Sequence, residues 1–591
     1  MKLQHLFLVG FALFALSSCE TEGDEVDGGE VNKRESDGKT VFYGGTLSVS
    51  EDETYSSIFP LEVLDVTSSK VVSQIHDGLV EYDPRDYSIR PAVADDWTVN
   101  DAKTEYTFHL RDNVRFHDDE CFEGGVGRVL SAEDVKYTFE LLCSKECEYS
   151  YSSFLKPYLK GAEAFFNGTA DHIEGLEIVD DHTVKFTLNE PSSSFIYILA
   201  MPNTSIIPKE AFEKYGKEMT VGCGPFMYTK PKDMTKAIDL VYNPKYYGRD
   251  ENGNALPYLD SIHFAFVPSK LEQLEMFNEH KLSLIQGLPS AKIAQVVSEN
   301  IENFKNNPPK TILDRQPDLS TEYYAFICTQ PPFDDVRVRK AFNYAIDRNS
   351  LLNEVLNGQG TPGMYGITPK IPAFNTYDFS RIKGYDYNPE LAKQLLAEAG
   401  YPNGEGFPEI TLEINLGGNV HKLVSTDIER QIKENLGITI SIDQVSFKTK
   451  MENSKLGKSE IYRSAWVADF PSPESFLSIF YGGEVPTSMS EPSYPNVMRY
   501  TNAKFDSLYN LGKVTVDDIE RNNYFAEAEK IMMEDAPIMV LWYTENYTMY
   551  HSDVRGFYNN GLALADFSRV FFKEMTAEEI EEIEKMNKSN Y

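Results

Sequence analysis

Apolar and polar residues alternate with a period of two in several short stretches of this chain. Leu47 and Val49 do so within residues 45–50, and Val184, Phe186 and Leu188 within residues 183–188. Such alternation predicts half-buried strands. Residues 104–110 form another, and the turn Asp180-Asp181-His182 introduces the strand that follows it. Elsewhere the period lengthens to that of a helix. Val135, Phe139 and Leu142 form a stripe behind Ser131-Ala132-Glu133-Asp134, which has the form of a capping box with Ser131 as N-cap and Asp134 at the third helical position. Asp335 is placed to cap a helix carrying Val338, Phe342 and Ala345. Asn388, with Pro389 at the first helical position and Gly400 past the end, frames one whose stripe is Leu391, Leu395, Leu396 and Ala399. Strand and helix signals alternate irregularly and no internal repeat is found. Over 591 residues this predicts a mixed α/β chain of two or three domains.

The N-terminus has a different pattern. Lys2 and His5 precede an apolar run from Leu6 to Leu16, broken only by Gly10. The run is shorter than the ~20 apolar residues that span a bilayer, and it fits a signal peptide, residues 1–18. It ends in Leu16-Ser17-Ser18-Cys19, which resembles a bacterial lipobox, so Cys19 is expected to be the lipidated residue. The competing reading is an ordinary signal peptide with an incidental cysteine. Residues 19–40 are acidic and polar, with too little apolar surface to offset the cost of ordering. They are expected to be a disordered tether.

Composition narrows the function. The formal net charge is −36 and the acidity is spread along the chain. Nucleic-acid phosphate would be repelled, so no nucleic-acid role is expected. With Cys19 lipidated, Cys121, Cys143, Cys147, Cys223 and Cys328 remain, an odd number that forbids complete pairing. Cys121 is open to pairing with Cys143 or Cys147 in an oxidising compartment. No His or Cys spacing matches a zinc pattern, so neither a metal nor another cofactor is expected, although His117 beside Cys143 and Cys147 was the nearest candidate. Gly457-Lys458-Ser459 fails as a phosphate loop because Glu452 stands where the first glycine belongs. Asp250, Asn252 and Asn254 fail as a calcium loop because Ala255 and Ser261 occupy the glycine and glutamate positions. Gly222-Cys223-Gly224 lacks the third glycine of a dinucleotide loop. No nucleophile elbow or zinc-protease motif is found. A non-enzymatic role is expected.

Ordered motifs then carry a resemblance. Ile75-His76-Asp77-Gly78-Leu79-Val80, Pro91-Ala92-Val93-Ala94-Asp95-Asp96-Trp97 and Tyr106-Thr107-Phe108-His109-Leu110-Arg111 come first. Val221-Gly222-Cys223-Gly224-Pro225-Phe226, the stretch Pro332-Phe333-Asp334-Asp335-Val336-Arg337-Val338-Arg339-Lys340-Ala341 and Trp466-Val467-Ala468-Asp469-Phe470-Pro471 follow. Together they resemble the family 5 extracellular solute-binding proteins, which include the oligopeptide- and dipeptide-binding proteins of ABC importers. The resemblance implies an α/β, periplasmic-binding-protein-like, two-lobed fold (class II, cluster C type) with an additional α/β domain. It places lobe I at 41–80, 206–310 and 546–591, the additional domain at 81–205, and lobe II at 311–545.

The same resemblance implies a ligand site between the lobes. Asp469, in the Trp-x-x-Asp motif, would pair with a peptide's α-amino group, a charge that a closing cleft strips of water unless a carboxylate meets it. Trp466 would be an apolar wall, and Arg463 would meet a ligand carboxylate in bidentate fashion. Asp65, Val66 and Thr67, within residues 63–68, would lie against an extended peptide as an added strand does. Tyr151 and Tyr543 would be aromatic lining, and Lys455 and Lys458 would serve a longer ligand's C-terminus. Relatives restricted to dipeptides carry an arginine near the segment 417–425, where this chain has only His421 and Lys422, so longer or variable peptides are expected. The implied partners are a peptide, ABC permease subunits with a separate ATPase, and the membrane through the lipid anchor, with the protein itself a monomer. Two alternatives stay open: the same fold with a non-peptide solute (oligosaccharide, opine or metal chelate), and a peptide-sensing surface lipoprotein without transport.

Overall fold

The computed structural model describes Arg34 and residues 42–589, apart from 64, 148–154, 157, 230–232, 234, 290–291, 304–308, 417 and 563–564. The signal-peptide expectation, Cys19 and Tyr151 lie outside the described residues; of the expected tether only Arg34 is described, and it is not free but packed on the body, donating to Leu259 O at 3.0 Å and pairing with Asp260 at 3.2 Å. Among the described residues no helix is long and apolar enough to cross a membrane.

The alternating segments form strands where the pattern places them. Thr46–Glu51 pairs in parallel with Ser261–Phe266, and Ala237–Tyr242 and Phe226–Thr229 extend this sheet antiparallel. A second sheet, wholly antiparallel, runs Ala94–Val99, Glu105–Leu110, Thr183–Thr187, Leu176–Asp180. Its inner face supplies Phe108, Val184 and Phe186 to a core shared with helix Ala132–Leu142. That helix starts with the capping box foreseen between Ser131 and Asp134. Helices Val336–Tyr344 and Pro389–Glu398 carry the Asp335 and Asn388 caps.

The largest sheet has the order Leu284–Gln286, Ile538–His551, Thr311–Phe326, Ile461–Val467, Ile410–Asn415, Ile440–Val445. The strands 311–326 and 538–551 are the crossing strands. Ile538, Val540 and Tyr543 pack in one core, whereas Tyr547 and Met549 pack in another with Phe277 and Ile285. The border implied at 545/546 therefore falls inside a continuous strand. The ladder between the two crossing strands is interrupted between Pro317 and Thr321. A break in register bends a strand locally, and here it lies where the chain passes from one lobe to the other.

The five described cysteines are free thiols, so the pairing left open for Cys121 is not formed. Helix Ala132–Leu142 stops before Cys143, and Cys147 follows in a short 3-10 turn. His117 is occupied by backbone: Nε2 donates to Gly224 O at 3.0 Å and Nδ1 accepts from Gly222 N at 3.3 Å. Burial pushes its imidazole down to about 4. No cluster of three or more metal-ligating side chains occurs among the described residues. Asp250 closes its own turn by accepting from Asn252 N and Asn254 N.

Candidate functional site

Strand Ile461–Val467 runs out of the large sheet into the segment 468–472, which Ala468 ties to the irregular stretch between Pro317 and Thr321 by donating its N–H to Leu319 O at 2.8 Å. Pro473–Leu477 then forms a short helix capped by Ser472. Ser475 faces back from this helix. Its Oγ accepts from Asp469 N at 3.0 Å and from Trp466 Nε1 at 3.4 Å. One hydroxyl therefore sets both Trp466 and Asp469. The indole rests against the core on that face of the sheet.

The Asp469 carboxylate reaches solvent, yet protein surrounds it on enough sides to push its pKa up to about 6 by desolvation alone. No hydrogen bond or ion pair to it is formed by any described side chain or backbone group. An acid held in such a place favours a cationic partner over water. The wall opposite comes from the additional domain. Tyr197 stacks on Phe470 with centroids 6.3 Å apart, and Ser194 donates to the buried carboxylate of Glu474. The additional domain and lobe II therefore touch directly beside Asp469.

Arg463 is on the other face of its strand. Side chains alternate along a strand, so Tyr462 and Trp466 face one core while Ile461 and Arg463 face the other. The guanidinium Nη2 donates to both oxygens of Glu322, at 2.6 and 2.7 Å, and both side chains are only 13% exposed. The carboxylate partner foreseen for Arg463 is thus supplied by the protein, from the neighbouring strand, and it engages Nη2 alone. Lys450 Nζ donates to Arg463 O at 2.9 Å. Burial, with Arg463 beside it, pushes Lys450 down to about 8, and burial, with both cations nearby, pushes His421 down to about 4. His421 is neutral there at physiological pH.

Tyr543 belongs to the core: 4% exposed, it donates to Gly366 O at 2.8 Å and accepts from Tyr365 N at 3.2 Å. Its expected place in the lining is corrected, because both hydrogen-bonding functions of the hydroxyl are used internally. Lys455 and Lys458 precede strand Ile461–Val467 while Asp469 follows it. Seven residues at ~3.3 Å each set them ~20 Å away, and Lys455 lies over the Tyr494 ring.

On the lobe I side, Asp65 is extended but Val66 begins the helix Val66–Ile75. The expectation of strand-like pairing is therefore corrected for Val66 and Thr67. Asp65 caps that helix, accepting from Ser68 N at 2.8 Å and from Ser68 Oγ at 2.6 Å. The first N–H groups of a helix have no internal acceptor, so Val66 and Thr67 offer donors instead of a strand edge. They border an open cavity of about 480 Å³, lined also by Glu51, Lys70, Gln286 and Asn546.

Sequence reasoning missed Glu322, Ser194 and Glu474. Glu322 carried one signal: it is the acidic residue beside Tyr323 and Tyr324 in an otherwise buried half-strand. Its partner is 141 residues away.

Residues 88–487 match the family described as Bacterial extracellular solute-binding proteins, family 5 Middle. Heme-binding protein A of Haemophilus influenzae is 27% identical over 568 residues, covering 94% of this chain and 97% of that protein. The periplasmic oligopeptide-binding protein OppA of Escherichia coli is 27% identical, covering 88% and 91%. Among solved structures, the periplasmic binding protein DppA from Helicobacter pylori in complex with the peptide STSA superposes with a TM-score of 0.71 at 26% identity, covering 90% of this chain and 99% of that one. The match extends over most of the chain and both lobes, and the chain belongs to the bacterial extracellular solute-binding proteins of family 5.

Proposed function

We propose that this protein captures peptides in the cleft between its lobes and delivers them to the permease of an ABC importer, whose ATPase is a separate subunit. It acts outside the cytoplasm as a monomer, held to the membrane by a lipid on Cys19, and it performs no catalysis. The observation that carries the reading is Asp469, a desolvated carboxylate with no described protein partner, whose backbone N–H is held by Ser475 beside the contact of lobe II with the additional domain. A peptide's α-ammonium group satisfies such a carboxylate, and ligand-selected closure removes the remaining water. Trp466 flanks the ammonium, and the Val66 and Thr67 N–H groups offer donors to peptide carbonyls from lobe I. Backbone recognition of this kind leaves side chains free to vary. The oligopeptide-binding relatives support this cargo.

The test is native mass spectrometry of the soluble body, followed by denaturing release of whatever it holds. A ladder of peptides retained by the wild type and lost in Asp469→Asn supports both cargo and clamp. A single non-peptide mass replaces the peptide reading with a different solute. That second reading has its own support, since a heme-binding relative is as similar to this chain as OppA is.

A further inference from the structure

The face of the large sheet around Arg463 is balanced in charge before any cargo arrives. Two cations stand there, Arg463 and Lys450, and two carboxylates, Glu322 and Glu413. Both acids lie close enough to Lys450 to favour its charged form. Glu322 holds Arg463 through both its oxygens. Glu413 accepts from Asn453 Nδ2 at 2.9 Å and from Ser459 Oγ at 3.3 Å. His421 adds no charge, being held neutral by burial and by the cations beside it. Of the remaining guanidinium positions, Nη1 makes only a long contact of 3.4 Å to Asn415, and Nε is buried without a partner. An incoming carboxylate would meet a guanidinium whose charge Glu322 already balances through Nη2, and it would approach the Glu322 oxygens at short range. The lobe I cavity gives it no better reception: its two cations, Lys70 and Lys270, are paired with Glu51 at 2.8 Å and with Asp52 at 3.3 Å, and Glu53 and Asp65 line it as well.

We propose that Glu322 is a specificity-determining residue: by closing Arg463 into an internal ion pair, it leaves lobe II able to anchor a cargo's amine at Asp469 and unable to anchor its carboxylate. This rests on the peptide reading given above and narrows it. The cargo class is then peptides read from the amino end alone, whatever the chemical state or length of the carboxyl end.

The experiment compares three equimolar pools of tri- to pentapeptides: free at both ends, amidated at the carboxyl end, and acetylated at the amino end. Apparent Kd values come from competition in native mass spectrometry, on the wild type and on Glu322→Gln. The expected result for the wild type is less than a threefold difference between free and amidated pools, and at least a tenfold loss on acetylation. Glu322→Gln, which frees the guanidinium while keeping the side-chain shape, is expected to gain a tenfold preference for the free carboxylate. A tenfold loss on amidation in the wild type overturns the role of Glu322 and leaves the peptide reading standing. Failure of all three pools to bind overturns the peptide reading and this proposal with it. A wild-type loss on amidation overturns the role of Glu322 even if Glu322→Gln does not fold, and a folded Glu322→Gln that gains no preference for the free carboxylate overturns it as well.

Discussion

Asparagine at position 469 keeps the shape of the side chain and removes its charge. The carboxyl of Asp469 stands at about 6 because the surrounding protein desolvates its ionised form. An ammonium docked on it offsets that penalty and returns the group to the ordinary aspartate range of ~4 or below. A fall of two units corresponds to ~2.7 kcal/mol at ~1.36 kcal/mol per unit. Water reaches this side chain through the cleft, and screening discounts the figure to ~1–2 kcal/mol. Asp469→Asn is therefore expected to weaken an amine-bearing peptide ~5–30-fold at pH 7.5. Proton linkage gives a second signature. As pH falls through 6 the free protein takes up a proton at Asp469, whereas the complex does not until the ordinary range. Wild-type affinity therefore declines between about pH 7 and pH 4, and that of the variant stays flat there. Without ligand the sign reverses. The folded state carries a raised carboxyl, so the wild type loses stability as pH rises from ~4 through ~6. Asp469→Asn escapes this loss and should melt no lower than the wild type at pH 7.5. Isothermal titration calorimetry between pH 5 and 7.5, with scanning calorimetry of the free proteins, reads all three effects. A variant that binds as tightly as the wild type, or a wild-type affinity unchanged from pH 7.5 to pH 5, refutes the pairing of an amine with Asp469.

The contact between the additional domain and lobe II predicts that Ser194→Ala, which leaves the buried Glu474 carboxylate without its donor, weakens that contact by ~1–3 kcal/mol. A larger radius of gyration by small-angle X-ray scattering and weaker peptide binding are expected, and an unchanged radius with unchanged affinity would show that this hydrogen bond does not hold the additional domain to lobe II. Glu529 is fully buried and accepts from Thr368 N at 2.8 Å, Thr368 Oγ1 at 2.7 Å and the Tyr377 hydroxyl. Glu529→Ala orphans these donors and should cost ~3–5 kcal/mol in urea unfolding; a loss under ~1 kcal/mol would mean that the site collapses or admits water. Burial pushes Cys121 and Cys147 up to about 12 and Cys328 up to about 11, and raises Cys143 and Cys223 as well. Their thiolate fractions at pH 8 are ~100-fold or more below that of a free cysteine. Native protein should resist iodoacetamide at all five positions, as read by peptide mapping, and denatured protein should react fully; rapid native labelling of Cys143, Cys147 or Cys223 would contradict the packing.

The sequence by itself determined whatever depends on near neighbours. The caps at Ser131, Asp335 and Asn388 are exchanges between residues two or three apart, and the strands around Leu47, Phe108 and Phe186 follow from a period that one segment carries alone. The ordered motifs carried the two-lobed fold and singled out Asp469. Asp65 could have been read more closely from the same rules, since an aspartate three residues before Ser68 is a helix cap as readily as part of an extended segment. Tertiary structure decided the rest, because it turns on which strands become neighbours. Arg463 looked like a free cation until Thr311–Phe326 paired with Ile461–Val467 and brought Glu322 to it. Tyr543 looked like lining until the turn at Gly366 used its hydroxyl. The walls beside Asp469 exist because a domain nearly 300 residues earlier in the chain packs Ser194 and Tyr197 against Glu474 and Phe470. Local pattern fixes the face on which a side chain sits; only the packed chain fixes what meets it there, and that decides whether a charge is spent inside the protein or left for a ligand.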